Sequence, residues 1–336
     1  MEKENGEVER ANGEGGRAKA HEIPNVDPRP RGDDGPNPEP DLVGAHPEPG
    51  TRNPEPITIG FQGEIGAFSE LAARHFYPEG CEVVPLPTFD TLFARLVDGT
   101  LDAAALPIEN SLFGSVHTNY DLLRDHPVHI RGELKLRVRH FLMALEGSTI
   151  SDINTVVSHP QALGQCREFL AREMPHAEVV PAYDTAGAAK LIAENHVQGR
   201  AAVASRAAAE KYGLAILAEG IESNHENYTR FLLLAPGEAK VDAGSTLDHR
   251  TSIVYAMRNN VPGALFKSLA VFALRELDLL KIESRPLVGS PFEYLFYLDF
   301  RGRLDEDAVI RALDHLEEIA AYAKVLGSYP VGPTVD

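Results

Sequence analysis

Between residues 57 and 212 short apolar runs alternate with amphipathic segments, and the alternation occurs twice. Ile57 to Phe61 precedes a predicted helix over 67–76, Glu82 to Leu86 precedes one over 88–98, and Asp102 to Pro107 closes the first series. After a long strand-like stretch from Val128 to Leu145 the pattern restarts: Thr155 to Ser158, helix 160–172, Glu178 to Pro181, helix 185–196, Ala201 to Ala204, helix 205–212. Runs this short, set between segments of helical period, are the mark of βαβ units and a parallel sheet. Two series predict two lobes within 57–236, the second over about 146–213, with Leu214 to Ala235 running back to the first. Such sheets bind ligands at the carboxyl ends of their strands, and a cleft between lobes is a natural place for one.

The remainder of the chain has a different order. A polar linker over 237–249 follows Pro236, and 250–330 then reads strand 251–257, helix 263–277, strand 279–286, strand 292–300, helix 305–320, strand 322–328. This βαββαβ order predicts a ferredoxin-like unit. Asp305 is placed to cap the second helix, whose apolar face carries Val309, Leu313 and Leu316.

Composition sets the outer bounds. Residues 1–56 hold ten of the 24 prolines and eight of the 28 glycines, with hardly a large apolar residue, and are predicted to be a disordered acidic tail. A net charge of -18 argues against a nucleic-acid partner, which needs a basic face. It also means that a small anionic ligand must be held by local cations and helix N-termini. Cys81 and Cys166 lack metal-ligand spacing and read as reduced, packed thiols. There is no 18-residue apolar run, and the amino-terminal residues are acidic and carry no signal or transit pattern. The expectation is a soluble cytoplasmic protein with no membrane partner.

The residues able to do chemistry fall mostly where a predicted strand meets a helix: Gly63 to Ser69, Pro107 to Gly114, Ser158 to Gln161 and Asp184 to Ala186. Helix N-termini there would present free N–H groups to an anion. Ser158, Pro160 and Asp184 also read as ordinary helix-start residues, and His159 as positional. Another cluster, Asn227, Tyr228, Thr229, Arg230 and Phe231, runs straight into the apolar stretch Leu232 to Ala235. Thr229 offers a hydroxyl, and the planar fork of Arg230 suits a carboxylate. Glu109 is either an acid kept protonated at the cleft edge or a partner for loop amides.

In order along the chain, these motifs resemble the prephenate dehydratase family together with its C-terminal ACT regulatory domain, over roughly 57–330. The match comprises Gly63, Gly66, Phe68 and Ser69; Pro107 to Ser111 and Gly114; Ser158 to Ala162; Asp184 to Ala186; and the Thr229, Arg230, Phe231 signature. Gly263, Ala264 and Leu265, and then Glu283, Ser284, Arg285 and Pro286, match the effector-binding motifs. The resemblance implies a two-lobed, periplasmic-binding-protein-like α/β catalytic domain followed by a ferredoxin-like ACT domain. It implies a carbon–oxygen lyase that converts prephenate to phenylpyruvate by loss of water and carbon dioxide, with no metal or organic cofactor.

On that resemblance Thr229 is the donor to the leaving hydroxyl and Glu109 a second source of the proton. Arg230 anchors a carboxylate, and Phe231, Asn110, Ser111, Gly114, Ser158, Gln161, Thr185 and Ser69 line the substrate. L-phenylalanine is the implied inhibitor, bound between paired ACT domains by Gly263, Ala264 and Leu265 and by Glu283, Ser284, Arg285 and Pro286. That pairing implies a homodimer or homotetramer. The Asp184 to Ala189 run and the Val325 to Pro330 segment look similar to the plant branch that prefers arogenate, so arogenate is the alternative substrate. A non-catalytic amino-acid sensor of the same fold is the alternative of another class.

Overall fold

A computed structural model of the chain describes residues 56–239, 247–287 and 293–336. The predicted disordered tail lies outside them except for Pro56, and the predicted linker lies partly outside. Residues Pro54–Asp336 group as one compact unit.

The first lobe opens with β1 (Thr58–Gln62), α1 (Phe68–Phe76), β2 (Glu82–Leu86), α2 (Phe89–Val97), β3 (Ala103–Asn110), the short β4 (Gly114–Ser115), α3 (His117–Asp125) and β5 (Val128–Arg137). The chain then crosses to the second lobe: β6 (Phe141–Ala144), β7 (Thr155–Ser158), α4 (Pro160–Gln165), α5 (Arg167–Glu173), β8 (Glu178–Pro181), α6 (Thr185–Glu194), β9 (Arg200–Ala204), α7 (Arg206–Tyr212) and β10 (Ala215–Glu219). It returns in β11 (Tyr228–Pro236) and continues as β12 (His249–Met257), α8 (Ala264–Ala273), β13 (Leu279–Pro286), β14 (Tyr294–Arg301), α9 (Asp307–Ile319), β15 (Ala320–Pro330) and β16 (Thr334–Val335).

The strands form two sheets. One runs β13-β14-β12-β15-β5-β11-β3-β1-β2, with β16 beside β5 and β4 beside β3; the other runs β10-β6-β9-β7-β8. Strands β1, β2 and β3 are parallel, as the alternation predicted, and carry apolar residues on both faces because helices cover both. The second sheet begins at Phe141 and ends at Glu219, wider than the predicted 146–213. The stretch read as one strand from Val128 to Leu145 is two strands, one in each sheet. The helix predicted over 160–172 is broken at Cys166, and α3 had not been anticipated.

The segment after Pro236 folds in the predicted βαββαβ order, with antiparallel pairing throughout and sheet order β13-β14-β12-β15. One face packs Ile253, Tyr255, Leu298 and Phe300 against Phe272, Val309 and Leu316 of its own helices. Helix α9 is capped at Glu306 rather than at Asp305, which pairs with Arg303. The opposite face packs Val254, Leu295, Tyr297 and Leu326 into the same core as Leu92, Tyr120 and Leu123 of the first lobe. Lys324 Nζ donates to the carbonyls of Leu123, Arg124 and His126 at 2.9, 2.9 and 2.7 Å, ending α3 with a cation where its carbonyls are free. The strands of the βαββαβ unit therefore continue the sheet of the first lobe, and β15 lies parallel to β5.

Beyond Pro330 the chain turns back onto the first lobe. Lys135 N donates to Pro333 O at 2.9 Å, Thr334 pairs with Lys135, and Val335 joins the cluster of Leu134, Leu136 and Phe231. Gly332 makes the approach possible: a Cβ there would lie 1.5 Å from the Glu133 carbonyl oxygen.

Candidate active site

The lobes are joined by two crossing segments, 138–140 and 220–227, that bond to each other. Val138 N donates to Asn227 O at 2.8 Å, Ile221 N to His140 O at 3.1 Å, and His140 N to the Glu222 carboxylate at 2.9 Å. Beside this hinge lies a cleft of about 590 Å³, lined by Thr229 and Phe231 of β11 and by Pro107 and Asn110 of β3. Gly63, Ala67, Phe68, Ser69, Thr88, Phe89 and Asp90 come from the first lobe, as do Gly114, Ser115, Val116 and Thr118. His140, His159, Gln161, Gln165, Tyr183, Asp184 and Thr185 come from the hinge and the second lobe.

Thr229 and Asn110 are directly paired across β11 and β3. Asn110 Oδ1 accepts from Leu112 N at 3.0 Å and Phe113 N at 3.1 Å, which fixes the amide so that Nδ2 faces the other way. That Nδ2 donates to Asn227 Oδ1 at 2.9 Å and to Thr229 Oγ1 at 3.1 Å. The bond occupies a lone pair of the threonine oxygen, and among the described residues the Thr229 O–H has no acceptor. It is left as a donor into the cleft.

The expected companions of Thr229 separate into two groups. Ser69, Asn110, Gly114, Gln161, Thr185 and Phe231 share its cleft. Glu109, Ser111 and Arg230 line a second cavity of about 610 Å³ behind the strand. Alternation along the two strands decides this. Thr229 pairs with Asn110, Arg230 with Glu109 and Phe231 with Pro107, so Ile108 is the extra residue. Paired residues share a face: Glu109 and Arg230 turn out the back by alternation, and the bulge brings Pro107 rather than Ile108 into the cleft beside Asn110.

Four site expectations are corrected. Arg230 does not anchor a carboxylate in the cleft: its guanidinium is bonded to Glu133 at 2.6 Å, Asp299 at 2.7 Å and the Tyr329 hydroxyl at 2.9 Å. Glu109 is not a cleft acid, since Lys281 Nζ donates to its Oε1 at 2.9 Å on the far face. Ser111 bonds to the Glu226 carbonyl at 2.8 Å instead of facing a ligand. Ser158 is fully buried and donates to Val203 O at 2.5 Å, a structural role at the end of β7.

With Arg230 removed, the cleft has neither Lys nor Arg among its described lining residues. The positive field comes from backbone. The N-terminal residues of α1, α2, α3, α4 and α6 all line the cleft, and each helix of ordinary length there assists an anion by roughly 0.3–1 kcal/mol. The two histidines add little charge. Burial lowers the pKa of His140, whose Nε2 lies 2.5 Å from Gln165 Oε1, and burial also lowers that of His159 against the pull of Asp184. Burial raises the Asp184 carboxyl, opposed by the Gly187 N–H that it accepts as helix cap and reinforced by the Glu64 charge. His140 and Gln165 went unmarked in the sequence because the first lies in a strand-like run and the second inside a helix.

In the βαββαβ unit, Gly263 caps α8 in the left-handed conformation, with φ 84°. With Ala264 and Leu265 it lines a cavity of about 330 Å³ bordered by Tyr294 and Phe296. Glu283, Ser284, Arg285 and Pro286 lie outside that cavity, on the edge strand β13. Glu283 bonds to Ser115 and, at 2.6 Å, to His117; Arg285 pairs with Asp121 at 2.9 Å. Burial pushes the Glu283 carboxyl up, but the Ser115 and His117 bonds and the Lys281 charge outweigh it and hold it below the ordinary value.

The family model described as prephenate dehydratase matches residues 59–239. The chain is 48% identical over 288 residues to arogenate dehydratase/prephenate dehydratase 2, chloroplastic, of Arabidopsis thaliana, covering 83% of this chain and 74% of that one. Among solved structures it is similar to the prephenate dehydratase of Arthrobacter aurescens in complex with L-Phe, at 32% identity and a TM-score of 0.74 over 82% of this chain and 90% of that one. It is also similar to GqqA, described as a novel type of quorum quenching acylase, at 35% identity and a TM-score of 0.74 over 82% and 98% of the two chains. Among the described residues no helix is long and apolar enough to cross a membrane.

Proposed function

Since this chain belongs to the prephenate dehydratase family, a family of carbon–oxygen lyases, we propose that its cleft converts prephenate to phenylpyruvate with Thr229 as the donor to the leaving hydroxyl. The observation that carries this is the Thr229 O–H, held by Asn110 and left without an acceptor among the described residues at the floor of a cleft ringed by helix N-termini. The bond from the ring to its carboxylate breaks and the electron pair enters the ring. At the opposite carbon the bond to the hydroxyl breaks, and the departing oxygen keeps that pair, takes a proton passed on by the Thr229 hydroxyl and replaced from solvent, and leaves as water, while the carboxylate leaves as carbon dioxide. Aromatisation supplies the driving force. The protein contributes orientation and a hydrogen bond that strengthens as the oxygen gains charge. Main-chain N–H groups, with Gln161, Ser69 and Thr185, hold the carboxylates.

A second reading takes arogenate as substrate, and one feature favours it. The cleft bears two carboxylates, Asp90 and Asp184, and no Lys or Arg among its described lining residues. Arogenate carries an ammonium where prephenate carries a ketone, so it brings one positive charge into an acidic cleft.

L-phenylalanine is the proposed effector, its carboxylate at the start of α8 beside Gly263, Ala264 and Leu265. Glu283 to Pro286 do not reach that cavity within one chain, and Leu265, Phe266 and Leu274 are 40%, 75% and 79% exposed. Both facts support an effector site completed by a second copy of the chain, hence a homodimer or homotetramer. A cytoplasmic location, proposed from the composition alone, would be overturned by recovery of the protein in an organelle fraction, as the name of the Arabidopsis relative implies for that protein.

The test is a steady-state assay of the purified protein on prephenate and arogenate side by side, following phenylpyruvate and phenylalanine, with and without added phenylalanine. Turnover of prephenate supports the first reading and preference for arogenate the second. Turnover of neither overturns both and leaves a sensor, or the acylase activity for which the similar structure is named.

A further inference from the structure

Thr229 faces the cleft, and its neighbour Arg230 reaches through the sheet to a buried cluster of opposite charges. All three kinds of guanidinium nitrogen are used: Nε to Glu133 at 2.6 Å, Nη1 to Asp299 at 2.7 Å and Nη2 to the Tyr329 hydroxyl at 2.9 Å. Arg250 Nη1 lies 3.1 Å from the same Glu133 oxygen and 3.6 Å from the same Asp299 oxygen. Ser252 donates to the other Asp299 oxygen at 2.6 Å and sits 2.7 Å from the Tyr329 hydroxyl. Arg230 and Glu133 belong to the catalytic sheet. Asp299, Tyr329, Arg250 and Ser252 belong to the βαββαβ unit.

Stability alone does not account for such a cluster. Apolar side chains of similar volume commonly serve a core as well as a buried ion pair or better, because desolvation offsets most of the attraction. Phe231, Leu232 and Leu234 already bury β11 well. What the cluster adds is direction. Three hydrogen bonds in a planar fork fix the guanidinium, and a strand fixed at Arg230 has its neighbours Thr229 and Phe231 fixed on the opposite face.

We propose that Arg230 is a positioning residue for the reaction, and that Asp299 and Tyr329 of the βαββαβ unit set the place of the Thr229 hydroxyl through it. The inference rests on the dehydratase reading for the role of Thr229. It makes the second unit part of the catalytic apparatus even without effector.

Tyr329→Phe keeps the buried ring and removes only the hydroxyl, and Asp299→Asn keeps the shape and removes the charge. Each is made alone and together with Thr229→Ala, and kcat, KM and the melting temperature are measured. Misplacement of a reacting group by about an ångström costs up to roughly 10²-fold, so kcat of Tyr329→Phe is expected to fall by about 10- to 100-fold with KM changed less. In the Thr229→Ala background the same substitution is expected to have almost no further effect on kcat. An equal loss in both backgrounds, or a lowered melting temperature with kcat intact, overturns the proposal. If Thr229→Ala itself keeps full turnover, it is the role of Thr229 as donor that fails, not the dehydratase activity. The crystal structure of Tyr329→Phe then decides separately: the Asn110 to Thr229 bond should be broken, and an unmoved bond rejects the positioning role.

Discussion

Asn110 donates its side-chain N–H to the oxygen of Thr229 at 3.1 Å, and the orientation of its amide is set by two backbone N–H groups, of Leu112 and Phe113, that its own oxygen accepts. A loop thus dictates which way a hydroxyl in the cleft points. Asn110→Asp keeps the shape and the loop bonds but turns the donor into an acceptor, which would draw the Thr229 hydrogen away from the ligand. Loss of a preorganised donor of this kind costs about 10²–10³ in kcat, and Thr229→Ala should cost about 10²–10⁴. Both are measured as kcat on the preferred substrate. If Asn110→Asp turns over like the parent, the hydroxyl is not oriented as described.

His140 links acidity to stability. It is 2% exposed, and its folded-state pKa lies below the ordinary value of about 6.5 because burial disfavours the cation. Below that value the unfolded chain binds more protons at this site than the folded one, so stability falls as pH drops from about 6.5 toward the folded pKa. Chemical denaturation across pH 5 to 8 should show this slope and show it reduced in His140→Asn. Equal slopes in the two proteins would assign the acid sensitivity to other groups.

The Arg285 to Asp121 pair is partly exposed, with side chains 22% and 31% accessible, so its loss should lower stability by less than about 1 kcal/mol. Arg285→Ala is nevertheless expected to weaken inhibition by phenylalanine more than it lowers kcat, because β13 carries the matched effector motif and grips the helix whose first turn lines the cleft. Inhibition curves of parent and variant provide the comparison. Equal losses in inhibition and turnover would make Arg285 a structural residue only.

Gly332→Val should destabilise the protein by roughly 1–3 kcal/mol, since any Cβ there meets the Glu133 carbonyl and the chain must lift away from β5. The melting temperature reads this directly. An unchanged value would mean that residues 331–335 are not docked on the catalytic sheet in solution.

Much of this fold was legible because periodicity survives in a chain whose helices cover both faces of its sheets. The βαββαβ order from β12 to β15 followed from alternating patterns and polar turns alone. The two lobes did too, although β6 and β10 were missed at their edges, where a strand abuts a hinge and has no helix beside it to mark its end. The site was legible in part. Thr229, Asn110, Gln161 and Ser69 meet in one cleft as their motifs implied. Glu109 and Arg230 do not, since each adjoins a cleft residue on its own strand, Asn110 and Thr229, and therefore points to the opposite face. Arg230 looked like a carboxylate anchor because a guanidinium beside a reactive hydroxyl usually is one. Its true partners, Glu133, Asp299 and Tyr329, lie far away in the sequence.

The return of the chain to β5 also bears on biosynthesis. Strand β5 is made early; β11 pairs with one of its edges once the second lobe has been translated, but β15 and β16 reach the other only after the βαββαβ unit is made. Until then its main-chain groups form an open edge, a template for pairing between nascent chains. A ribosome that stops before Gly327 releases a chain with the cleft residues present and that edge still uncovered.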